Sequence, residues 1–257
     1  MASERRGVAL VTGVGRQAGI GAAIVTELAR DGWDIAMTWW SASDRQAYGA
    51  VVDGDPAVIE KTLRELGART WAGEVDFGAE FSAEALFDQI EAGLGAVSAL
   101  VVNHTHCVQA GLMQTTPDSF ERHWAVNVAA VLGLLQEFGR RYKPGAGGGR
   151  IVTITSDHTA GNVAYGVSKG AADRLTDAAA YEFGPLGVTA NAVNPGPIDT
   201  GWMDDAARAS AAAKTALPRI ARTADAARLV RFLCSPEGGW ITGQRLYSNG
   251  GFTGTIS

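Results

Sequence analysis

Cysteine is scarce in this chain: Cys107 and Cys234 are the only two among 257 residues. They lie far apart and match no metal or redox spacing, so they read as free thiols in a reducing compartment. No apolar run is long enough to span a membrane. The charged start from Met1 to Gly7 is followed by Val8-Ala-Leu-Val-Thr12, too brief for the core of a signal peptide. A cytoplasmic protein with no membrane partner is expected. Like charges nowhere gather into runs and the formal net charge is −5, so no basic face is available for nucleic acid. There is also no Pro/Ser-rich linker and no internal repeat. Residues 1–257 therefore read as a single domain, in which the glycine patch from Gly145 to Gly149 is a loop. A hydrophobic content of 46% against 19% charged excludes a disordered chain.

What the chain does have is alternation. Short apolar runs fall at about 7–12, 34–40, 69–75, 98–103, 149–155, 187–193 and 244–248, separated mostly by stretches of helical length. This pattern predicts an α/β fold: one doubly wound parallel sheet of about seven strands, Rossmann-type, with helices on both faces. Ligands of such sheets bind beyond the carboxyl ends of the strands, so the residues just after each run are the candidates for chemistry.

The first run, Gly7 to Gly13, leads into Val14-Gly15-Arg16-Gln17-Ala18-Gly19-Ile20-Gly21 and then into the helix-forming Ala22 to Arg30. Strand, glycine-rich turn and helix opening together make a pyrophosphate cradle, because glycine admits close backbone approach and the helix start offers free N–H groups. Gly13, Gly19, Ile20 and Gly21 are the candidate contacts. An acid at the end of the second strand would bind the ribose hydroxyls of NAD. That place holds Thr38, Trp39, Trp40 and Ser41, with Arg16 in the preceding loop and Arg45 beyond, which favours NADP(H). Asp44 argues the other way if the long loop from Ser41 to Asp55 folds it onto the ribose. Asp34, at the opposite end of its strand, reads as a surface residue.

Asp76, Asn103 and Ser156 follow the third, fourth and fifth runs, each either a ligand contact or a turn residue. Thr116-Pro117-Asp118 signals a helix start. Asn127, on the otherwise apolar stretch from Trp124 to Leu135, must find polar partners and is either a structural clamp or part of a proton path. In Tyr165-Gly-Val-Ser-Lys169 the phenol and the ammonium lie four residues apart on one helix face. A fixed positive charge favours the phenolate and brings tyrosine, with a reference pKa of about 10, into range as a proton donor. His104, His106 and His158, with Asp157 nearby, match no metal-ligand motif, so no metal is expected; His158 is a candidate for the substrate pocket instead. Most of the seven tryptophans read as core or interface. Trp202 is different, opening an alanine-rich stretch to Leu217 where a substrate lid is expected.

With the glycine loop, Asn127, Ser156 and Tyr165-Gly-Val-Ser-Lys169 in this order, the chain resembles the short-chain dehydrogenase/reductase superfamily, in the style of its 3-oxoacyl-carrier-protein reductase-like members. The likeness runs from Val8 to Phe252 and takes in Asn194-Pro-Gly-Pro-Ile-Asp-Thr200, Trp240-Ile-Thr-Gly-Gln244 and Asn249-Gly-Gly251. The resemblance implies that Tyr165 protonates the reduced oxygen. It implies that Lys169 binds the nicotinamide ribose and lowers the tyrosine pKa, that Ser156 holds the substrate oxygen, and that Asn127 completes the relay. Asp76 is expected at the adenine, and Pro195, Gly196, Ile198 and Thr200 at the nicotinamide; a homotetramer or homodimer is the expected assembly. Three departures stand out. The glycine loop is two residues longer than usual, Val102-Asn-His-Thr105 replaces the usual Asn-Asn-Ala-Gly, and the segment between Ser156 and Tyr165 is about four residues short. The last of these opens the alternative that Thr155 or Thr159 takes the role of Ser156.

The expected activity is NADPH-dependent reduction of a C=O or C=N group of a small molecule. An NAD-dependent alcohol dehydrogenase and a non-catalytic sensor of NADP(H) are the rivals. A sensor would need the glycine loop but not Tyr165, Lys169 and Ser156 together. Acyl thioesters, polyketides, cyclic ketones, sugars and imines are all compatible substrates.

Overall fold

The computed structural model describes residues 6–48, 54–79, 81–145, 147–201 and 203–253. The expected lid residue Trp202 and the terminal residues 254–257 thus lie outside the described residues. Seven parallel strands form one sheet in the order β3-β2-β1-β4-β5-β6-β7. They are β1 (Gly7–Val11), β2 (Trp33–Trp39), β3 (Thr70–Glu74), β4 (Val97–Val102), β5 (Gly149–Ile154), β6 (Val188–Asn194) and β7 (Gln244–Tyr247), each within about two residues of its expected run.

Period-two alternation divides the side chains of these strands between two apolar layers. Val8, Leu10, Leu100, Val102 and Ile151 enter one layer, with Phe87, Leu134 and Phe138 from α4 (Ala83–Leu94) and α6 (Ala130–Arg141). Ala9, Val11, Ala99, Val101 and Val152 enter the other, with Ile24, Val25 and Leu28 from α1 (Ile20–Arg30) and Val230 from α9 (Thr223–Leu233). Leu28 and Phe138 are fully buried, and truncating a core side chain of this kind to alanine costs about 2–5 kcal/mol.

Local signals set the helix ends. Ser82 accepts a hydrogen bond from the Ala85 N–H at 3.1 Å to open α4, and Thr116 accepts from the Ser119 N–H at 3.2 Å to open α5 (Pro117–Trp124). Between α5 and α6 the helix widens into a π-helical turn, Ala125–Ala129, which carries Asn127. Such turns insert a residue into the helical ladder and re-aim side chains.

Two expectations are corrected here. Asp34 is not a surface residue: it is 2% exposed and accepts from the Arg69 backbone N–H at 2.8 Å, from Nε at 2.9 Å and from Nη2 at 2.8 Å. The pair ties the start of β2 to the chain entering β3, and the bidentate geometry offsets the cost of burying the carboxylate. The stretch from Ser41 to Asp55 is not simply a loop either. It carries α2 (Ser41–Tyr48) and leads into α3 (Asp55–Glu65).

Among the described residues, no helix is long and apolar enough to cross a membrane.

Candidate active site

One cleft of about 1000 Å³ runs along the carboxyl ends of the strands. At one end lies the glycine turn. Gly19, which has no side chain to cap α1, precedes the helix, and Gly13, Gly15, Gly19 and Ile20 face the cleft. Gly21 does not line the cleft; it is needed for packing. A Cβ there would sit 2.5 Å from the Gly13 carbonyl oxygen and 2.9 Å from Asn103 Nδ2. Asn103 in turn donates to the carbonyl oxygens of Thr12 and Gly13 at 3.0 and 2.9 Å, so it fixes the turn from beneath.

Within Val102-Asn-His-Thr105, which stands in place of the usual Asn-Asn-Ala-Gly, His104 makes structural contacts. Its Nε2 lies 3.0 Å from the Val126 carbonyl oxygen and its Nδ1 2.7 Å from the Thr12 hydroxyl. A carbonyl only accepts, so Nε2 carries the proton and Nδ1 accepts from Thr12. The ring stacks on Phe77 at 3.9 Å, and burial, aided by the charge of Lys169, pushes its pKa down to about 3. His104 is thus neutral and links β1, β4 and the π-helical turn.

Asn127 is 2% exposed, and all of its side-chain polar capacity is engaged. Oδ1 accepts from the His106 N–H at 2.7 Å and from the Thr105 hydroxyl at 3.2 Å, while Nδ2 donates to the His106 carbonyl oxygen at 2.9 Å and to Ser168 Oγ at 2.9 Å. These bonds join the segment after β4 to α7 (Val163–Glu182).

α7 delivers Tyr165 and Lys169 to the middle of the cleft. Lys169 is 4% exposed, donates to the Ile154 carbonyl oxygen at 2.8 Å, and has its nitrogen 5.8 Å from the centre of the Tyr165 ring. Burial pulls its pKa down to about 8 against the opposing pull of Asp173, one turn further along α7. The Asp173 carboxylate is itself buried and pairs with Arg245 of β7 at 2.5 Å. Ser156 lies in the cleft opposite, its hydroxyl accepting from the His158 N–H at 3.1 Å. Thr155 also borders the cleft, but its residue is buried beside Asp173; Thr159 does not line the cleft.

On the β3 side of the glycine turn Asp76 pairs with Arg122 at 3.0 Å, and the Arg122 guanidinium lies 5.2 Å from the centre of the Trp40 ring. Trp39 and Asp44 line the cleft beside the glycine turn, whereas the Arg45 side chain turns back to the Ser41 carbonyl oxygen. Pro195, Gly196, Ile198 and Thr200 line the cleft as well, along with His158. Phe252 also lines this cleft. No group of three or more His, Cys, Asp or Glu side chains suited to a metal ion occurs among the described residues.

A family model described as enoyl-(acyl carrier protein) reductase matches residues 13–253. The uncharacterized oxidoreductase YjdA of Bacillus subtilis is 36% identical, over 98% of this chain and 99% of its own. A short-chain dehydrogenase/reductase of Armillaria gallica is 33% identical over 95% of each. The chain belongs to the short-chain dehydrogenase/reductase superfamily. The solved structure of a blue fluorescent protein from a metagenomic library, in complex with NADPH, superimposes on this dehydrogenase/reductase with a TM-score of 0.85 and 34% identity, over 98% of this chain and 99% of that one.

Sequence reasoning missed Arg122, Asp173 and Arg245. Only Asp173 carried a readable signal, the same four-residue spacing from Lys169 that had singled out Tyr165. The two arginines reach their partners from segments distant in sequence.

Proposed function

We propose that this dehydrogenase/reductase transfers hydride from NADPH to the carbonyl or imine carbon of a small molecule, with Tyr165 supplying the proton to the heteroatom. The observation that carries this reading is convergence: Tyr165, Lys169 and Ser156 border the same cleft as the glycine turn and the helix start behind it. The family membership and the NADPH-bound structure similar to this one support it.

When bound, the nicotinamide supplies the hydride. The protein's own residues do the rest. Gly13, Gly19 and Ile20 hold the pyrophosphate, Asp76 and Asn103 flank the adenosine side, and Pro195, Gly196, Ile198 and Thr200 hold the nicotinamide side. Ser156 hydrogen-bonds the substrate oxygen, and Tyr165 protonates it under the influence of the Lys169 charge. Asn127 acts through position, keeping the segment at His106 and the helix at Ser168 in register. His158 borders the substrate end. NADPH is expected to bind at least about tenfold more tightly than NADH, a difference of about 1.4 kcal/mol, because no acid ends β2 and Arg16 stands nearby. Exposed apolar side chains on α5, α6 and α7, namely Trp124, Leu132 and Val167, support assembly of copies into a homotetramer.

The test is a titration with NADPH followed by a screen of ketones and imines for cofactor oxidation. Binding without turnover on any class would favour the sensor instead, and reduction of NAD by alcohols alone would favour the dehydrogenase of opposite direction.

A further inference from the structure

The two extra residues of the glycine turn and the acid delivered by α2 meet. Arg16 Nε lies 3.6 Å from Asp44 Oδ1, and Arg16 Nη1 donates to the Thr200 carbonyl oxygen at 2.8 Å, across the cleft. Gly15 is what lets Asp44 in: its open side faces the Asp44 carboxylate so closely that any Cβ there would overlap Oδ2. The turn is held from behind as well. Gln17 donates through its backbone N–H and its side chain to the carboxylate of Asp55, at 2.9 and 2.6 Å. The segment after β2 therefore grips the turn with two carboxylates, of which Asp44 borders the cleft and Asp55 does not.

Resting on the functional reading above, we infer that Asp44 is the residue that sets the choice between NADPH and NADH, by competing with the 2′-phosphate for Arg16. The carboxylate and a 2′-phosphate are both anions seeking the same guanidinium, beside Trp39 at the end of β2. A dianionic phosphate must either displace Asp44 from Arg16 or accept its repulsion, whereas a ribose that lacks the phosphate meets neither obstacle. Burial raises the pKa of Asp44, and the charge of Arg16 opposes that shift. Selectivity in this chain is thus a balance of opposing contacts, with Arg16 attracting the phosphate and Asp44 opposing it.

The test measures dissociation constants of NADPH and NADH by fluorescence titration at fixed ionic strength, for the wild type, Asp44→Asn, Asp44→Ser, Arg16→Ala and the double variant Asp44→Asn with Arg16→Ala. Removing the charge should tighten NADPH about tenfold while leaving NADH within about twofold, in both single variants. In the Arg16→Ala background the gain should vanish. An unchanged ratio of the two constants overturns the inference. So does a selective loss of NADH affinity, which would make Asp44 a ribose ligand, and so does an equal loss of both, which would make it a support of the turn. A wild type that binds neither dinucleotide overturns the functional reading, and this inference with it.

Discussion

The Lys169 ammonium donates to the carbonyl oxygen of Ile154 at 2.8 Å, anchoring the lysine on the last residue of β5. The next residues on that strand end, Thr155 and Ser156, also face the cleft. One strand end therefore positions both the charge proposed to tune Tyr165 and the hydroxyl proposed to hold the substrate oxygen.

A pH dependence follows from this. Burial holds the Lys169 pKa at about 8, and the charged form is the one that favours the tyrosine phenolate. As pH rises through that value the charge is lost, so kcat/KM for NADPH should fall on an alkaline limb near pH 8. Asp173 opposes the effect of burial, and Arg245 pairs with Asp173. Asp173→Asn should therefore move the limb to lower pH. A limb that stays in place in that variant would show that Asp173 does not act through Lys169. Stability carries the opposite sign: the folded pKa lies below the unfolded 10.5, so the unfolded chain binds the extra proton. Between these two values stability should rise with pH.

His104 makes a separate prediction on the acid side. Its folded pKa of about 3 lies below the ordinary 6.5, so across that interval the unfolded chain binds a proton that the folded chain does not. Stability should fall as pH drops from 6.5 toward 3, and His104→Asn should flatten that slope. Urea unfolding at pH 7 and pH 5 on both proteins checks this. Equal slopes in both would remove His104 as the cause.

Gly21→Ala tests the cradle. The added methyl meets the Gly13 carbonyl oxygen and Asn103, neither of which can yield without moving β1 or β4. Overpacking of this kind costs about 1–3 kcal/mol. The melting temperature should drop by about 2–4 °C for each kcal/mol, and NADPH affinity should fall with it because the displaced turn is the proposed pyrophosphate site. Unchanged melting and binding would place the turn elsewhere.

The parts of this architecture that were legible in the sequence are those whose cause is local. Apolar runs marked all seven strands, glycines followed by helix formers marked the turn, and a spacing of four placed Tyr165 and Lys169 on one face of α7. What was illegible depends on partners far along the chain. Asp34 looked exposed because Arg69, its partner, is thirty-five residues away. The π-helical turn at Asn127 is tied to His106 and Ser168, which no local pattern announces. Asp44 was recognised as ambiguous, and the ambiguity was physical: whether it reaches the cleft depends on α2 folding back onto Gly15.

Tyr165→Phe separates an enzyme from a cofactor sensor and tests the proton donor directly. It removes one hydroxyl and keeps the ring beside Lys169, so NADPH affinity should change little. Turnover of a ketone should fall about 10²- to 10⁴-fold, the range for losing a positioned general acid. Lys169→Ala should behave differently, lowering affinity and rate together, because it removes both the charge and the expected ribose contact. If Tyr165→Phe reduces a ketone at the parental rate, Tyr165 is not the acid. A preformed iminium ion is the control, since it arrives already protonated and needs only hydride. The variant should retain most of its rate on the iminium while losing it on the ketone; equal losses on both would mean that the hydroxyl positions the substrate rather than supplying the proton.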